Sequence, residues 1–156
     1  MNAAFALSAL VAVAATAMVI TRRNAVHALL YLVVSLLAVA VIMFLLGAAF
    51  VAALEVIVYA GAIMVLFVFV MMLIGPEIIA MNPRAWIGPS LLGLALAAEF
   101  AWVLVHGQGI VGQPAVEVAP KAVGMALFGP YLLGAEMAAF LLLAGLVGAY
   151  HLGKRR

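Results

Sequence analysis

Residues 54–75 read LEVIVYAGAIMVLFVFVMMLIG. A helix needs about 20 largely apolar residues to cross the hydrocarbon core of a bilayer, and this run has that length. Inside its start stands a carboxylate, Glu55. Tyr59 follows four residues later, and Ala60-Gly61-Ala62 adjoins the phenol. Lipid supplies no partner for an acid or a phenol, and glycine is a weak helix former. A span that keeps all three is the candidate functional element, and the rest of the chain reads as its surroundings.

Working outward, the 156 residues are 71% hydrophobic and 8% charged. Soluble domains are roughly half apolar and a quarter charged, so this is an all-α integral membrane protein, a single membrane domain at this length. The formal charge of +2 comes from residues at helix ends, which bears on membrane orientation and not on nucleic acid. Without cysteine, thiolate-held clusters, structural cysteine zinc sites and disulfides are excluded. His27, His106 and His151 lie near three different span ends with no ligand spacing between them, and no glycine-rich nucleotide motif is present. Any redox centre must sit on another chain.

Five runs are long enough to span, about 2–20, 26–46, 50–74, 86–106 and 131–151. The first resembles a signal peptide in length, but positive charge appears only behind it, at Arg22-Arg23. That order predicts an uncleaved helix with the N-terminus outside and the C-terminus inside. Arg22, Arg23, Arg84, Lys154, Arg155 and Arg156 then fall on the inner side and Lys121 on the outer, the bias of the positive-inside rule. The link at 46–50 around Gly47 is so short that the second and third spans must be antiparallel neighbours. Gly75-Pro76 ends the third span. The segment 107–130, broken by eight Gly and Pro residues, reads as an external loop with a short surface-lying stretch near 122–128.

The chain has no aspartate, and three of its five glutamates, Glu55, Glu99 and Glu136, fall inside spans. At a rise of about 1.5 Å per residue each lies roughly 8–10 Å below the outer surface, forming a layer of carboxylates. Such acids are candidates for a proton path; the alternative is a hydrogen bond to a neighbouring helix. None of the spans holds Lys or Arg to pair with them, so a cationic partner must come from another chain or from water. Tyr59 shares a helix face with Glu55. Gly61 could permit a π-bulge or serve as a packing notch, and the residues alone favour the notch.

The run Glu55–Phe67, EVIVYAGAIMVLF, resembles the third-helix signature of the subunit J family of bacterial NADH–quinone oxidoreductase, counterpart of subunit 6 of mitochondrial complex I. The segment Leu127–Leu152, with Glu136 ahead of a leucine run and Gly148-Ala149 near its end, resembles the family's last helix. The resemblance extends over essentially the whole chain. It implies a core membrane-arm subunit of a proton-pumping complex with no cofactor of its own. FMN, iron–sulfur clusters and quinone are expected on partner subunits, and the complex in the bacterial inner (cytoplasmic) membrane. In the family the third helix carries a π-bulge, here at Tyr59–Val65, whose conversion to α-helix is proposed to gate a water path. Tyr59, Gly61 and Val65 are thus candidate hinge residues. A membrane subunit of a multi-chain cation/proton antiporter is the alternative.

Overall fold

The computed structural model describes residues 3–74, 86–106 and 118–154. The 75–85 loop, the stretch 107–117 and the cations Arg84, Arg155 and Arg156 lie outside the described residues. The chain forms two compact units, Met1–Glu117 and Val118–Arg156.

Helix is the one regular structure among the described residues. In the first unit, α1 (Ala3–Thr21) and α2 (Ala25–Leu45) are followed by a third span in three parts. These are α3 (Ala49–Leu54), a π-wound segment (Glu55–Ile63) and α4 (Met64–Ile74). α5 (Ile87–His106) completes the unit, and the second unit holds α6 (Pro120–Leu127) and α7 (Leu132–Gly153). Five helices, Ala3–Thr21, Ala25–Leu45, Ala49–Leu73, Ile87–His106 and Leu132–Gly153, are long and apolar enough to cross a membrane. Each lies within a few residues of the run expected from sequence. α6 occupies the part of the 107–130 segment where a surface-lying stretch is expected.

Local chemistry places the boundaries. Asn24 caps α2, its Oδ1 accepting from the Val26 and His27 amides at 3.0 and 3.4 Å, which satisfies two of the donors that a helix start leaves unpaired. At the other end Gly47 takes φ 86°. Its amide bonds to the Phe44 carbonyl while the Ala48 amide reaches back to that of Met43, both at 3.0 Å. This is the Schellman pairing, and the left-handed residue within it is cheap only for glycine. The chain reverses in three residues, so α2 lies against the third span.

The core sits where α1, α2 and α5 meet. Ala15 and Ala38 are fully enclosed, with Val11, Val34, Val41, Leu45, Leu96 and Val103 packed around them. Helices in lipid gain nothing from hiding apolar surface from one another, so close approach through small side chains and hydrogen bonds between helices hold such a bundle. Thr16 Oγ1 and Ser35 Oγ, 2.8 Å apart, supply one such bond between α1 and α2. Toward the Arg22 end of α1, the guanidinium lies 5.3 Å from the centroid of the Tyr31 ring, a cation–π distance. Tyr31 is buried because Gly88 of α5 leaves room for it; a Cβ on Gly88 would collide with the Tyr31 hydroxyl. Gly88→Ala should therefore cost about 1–3 kcal/mol of stability, as overpacked sites do. Adding Tyr31→Phe should return part of that loss in thermal unfolding of the purified assembly. Equal stability of Gly88→Ala and wild type would disprove the contact.

Candidate functional site

The third span changes its winding where the sequence places its polar residues. From Glu55 to Ile63 the backbone is π-helical. At its far end the Met64 amide points to the carbonyl of Tyr59, five residues back, as well as to that of Gly61. Four of the nine residues, Val56, Ile57, Val58 and Ile63, are β-branched and crowd the preceding turn of an α-helix. Gly61 avoids a close contact within this coil: a Cβ there would lie 3.1 Å from the Val56 carbonyl oxygen. The family resemblance sets the bulge at Tyr59–Val65, whereas the π winding begins at Glu55 and ends before Val65, which belongs to α4.

Glu55 is half-buried at the first residue of the π-wound segment, and Tyr59 is 50% exposed. Among the described residues no hydrogen bond joins them, so their shared face does not make a shared network. Beside the segment, Ala52, Ala53 and Val56 face Phe44 of α2 and Gly93, Leu96 and Phe100 of α5 across an apolar cavity of about 470 Å³. Phe44 and Phe100 meet edge to face at 5.3 Å. Neither Glu55 nor Tyr59 lines that cavity.

The three acids have three different environments. Glu99 is 8% exposed, and its Oε1 accepts a 2.8 Å hydrogen bond from Ser8 Oγ of α1. Its Oε2 is buried with no partner among the described residues. Glu55 stands on the third span, and Glu136 is exposed on α7 of the second unit. Within the first unit Glu55 and Glu99 share no hydrogen bond. Ser8 escapes a reading of single spans, since α5 itself offers Glu99 little polar company. The available signal is the α1 pattern Ser8, Ala12, Ala15, Thr16, small and hydroxyl residues at helical spacing on one face. His106 ends α5 stacked on Trp102 at 3.8 Å, its Nδ1 donating to the Trp102 carbonyl at 3.0 Å. No group of three or more His, Cys, Asp or Glu able to hold a metal ion occurs among the described residues.

Comparison with known proteins decides the family. Residues 15–152 match the family described as NADH-ubiquinone/plastoquinone oxidoreductase chain 6. The chain belongs to that family. It is 52% identical to NADH-quinone oxidoreductase subunit J of Pseudomonas aeruginosa, with 99% of this chain and 98% of the relative aligned. The Escherichia coli subunit J is 50% identical, over 99% of this chain and 87% of its own. A more distant member, from Rhodobacter capsulatus, is 37% identical over 94% of this chain and 78% of its own. Five apolar helices and membership of this family make the chain a multi-pass membrane protein.

The winding of the third span is open to direct measurement. Gly61→Ala should press the Val56 carbonyl aside and shorten the π-wound segment toward regular α-helix. A density map of the variant in its assembly should show side chains between Val56 and Met64 rotated about the helix axis. Unchanged side-chain positions would mean that the missing Cβ does not set the winding.

Proposed function

We propose that this chain is a core membrane-arm subunit of a proton-translocating NADH–quinone oxidoreductase, respiratory complex I. In this reading it lies in a bacterial inner membrane with its N-terminus outside and its C-terminus inside. The observation that carries the proposal is alignment with subunit J relatives along nearly the whole chain. NADH oxidation and quinone reduction would occur on partner subunits holding FMN, iron–sulfur clusters and quinone. This chain would transmit that chemistry to proton movement through its third span.

The physical basis is the economy of changing helix type inside lipid. Every backbone amide and carbonyl there must stay bonded within the protein. Passing from π to α winding moves each bond from the fifth residue back to the fourth and leaves no group bare. It also rotates whatever lies on one side of the segment relative to the other. Glu55 stands at one end of the π-wound residues and Val65 just past the other, so conversion would turn the acid against α4. Tyr59 and Gly61 would be the hinge between them. Glu55 is the acid we place on the proton path; Glu136, exposed on α7, is a second candidate.

Two substitutions separate hinge from path. Gly61→Leu should lower proton pumping and quinone reductase rates at least severalfold in assembled complex, while NADH oxidation by artificial acceptors stays near wild type. Unchanged pumping would eliminate the hinge. Glu55→Gln keeps shape but removes the exchangeable carboxyl proton, and should lower pumping in assembled complex. Normal pumping in that variant would reduce Glu55 to a structural hydrogen-bonding group. Purification in mild detergent tests the complex itself: flavin and iron–sulfur absorption should accompany the chain, whereas sodium-dependent transport without redox centres would favour the antiporter reading.

A further inference from the structure

Ser8 and Glu99 form the side-chain hydrogen bond that ties α1 to α5. Ser8 is fully buried and Glu99 nearly so. We propose that Glu99 is a positioning residue, held permanently as a neutral carboxylic acid that clasps α1 to α5 through Ser8, and that no proton is relayed through it. This rests on the geometry of the first unit and not on the winding of the third span.

The argument begins with what an ionised carboxylate would require. It is acceptor only, with two oxygens to satisfy. Here one oxygen accepts from Ser8, a neutral residue, and the other has no partner among the described residues. The elements packed against it supply no cation. α1 has no Asp, Glu, Lys, Arg or His anywhere between Ala3 and Thr21. On α5 the other ionisable side chain is His106, two turns further on, exposed and engaged with Trp102. α2 meets this level of α5 with Phe44, which packs on Phe100. Its own ionisable groups, His27 and Tyr31, lie four to five turns from Phe44 and close to three and a half turns from it, respectively. The groove that Glu99 borders is walled by Ala3, Ala4, Leu7, Ala98, Val103 and the Trp102 ring.

A bare charge in that setting is far more costly than an unpaired neutral group. The neutral acid fits what is present: the carbonyl oxygen accepts from Ser8, and Oε2 carries the proton. As a neutral pair the two side chains do what polar groups between membrane helices do, joining helices that hydrophobicity cannot join. Within this chain the partner of the acid is a hydroxyl. Glu99 is thereby separated from Glu55, which has no such clasp.

The test uses the chain assembled with its partner subunits and three variants, Glu99→Gln, Glu99→Leu and Ser8→Ala. Glutamine offers the carbonyl and a donor in the shape of the neutral acid, so Glu99→Gln should assemble normally and pump within about twofold of wild type. Glu99→Leu and Ser8→Ala should lower the recovered complex severalfold. The infrared difference between wild type and Glu99→Gln should contain the C=O stretch of a protonated carboxyl, constant from mildly acid to mildly alkaline pH. Loss of pumping in an assembled Glu99→Gln complex would make Glu99 a relay and overturn the proposal. Failure of Glu99→Gln to assemble, wild-type recovery of Ser8→Ala, or a carboxyl band that is absent or titrates would overturn it as well. The band and the recoveries decide the matter whatever the π-wound segment does.

Discussion

Hydrocarbon has no hydrogen-bond donors or acceptors, and the apolar helices of this chain are shaped by that constraint. It forces the backbone into helix and makes each departure from regular α-helix a matter of where the freed bonds go. The α2 terminus answers with its two reverse bonds from Gly47 and Ala48. Hydroxyls inside α1 answer by folding back: Thr16 and Thr21 bond the carbonyls four residues earlier, at 2.8 and 2.9 Å. The π-wound residues answer by lengthening the reach of the bond, as where the Met64 amide points back to Tyr59.

The same constraint arranges the side chains. Along α1 the polar contacts occur at three levels: Ser8 with Glu99, Thr16 with Ser35, and Arg22 with Tyr31. Between the first two lie Val11 and Ala15, which are almost wholly enclosed. The first two levels are thus separate stitches with apolar packing between them. The third span is different in kind. It shows large apolar side chains and a half-exposed phenol at its surface, and its acid is not sealed against a neighbouring helix. One seam of the protein is built to stay closed, and the other presents its polar groups outward.

The spans were legible because apolar length is a property of the chain in one dimension. Gly47 was equally legible, since a reversal that short has few chemical solutions. Which side chains meet across helices was not. A helix that is apolar on all sides has no periodicity to reveal its buried face, so Ser8 could not be assigned to Glu99 from spacing alone. Counting residues yields an expected depth for each acid, but not its surroundings, such as the Ser8 hydroxyl against Glu99. The extent of the π winding was hidden for a related reason. A shift of hydrogen bonds from the fourth to the fifth residue back changes no composition, and Gly61 marks the region without marking its ends.

The tight reversal at Gly47 has a consequence for the freedom of the third span. Three residues, 46–48, span too little length to let two helix ends move apart. The link therefore holds the end of α2 beside the start of the third span, whatever the rest of either helix does. The π-wound residues thus begin only seven residues past that link, close to an end that cannot drift from its neighbour.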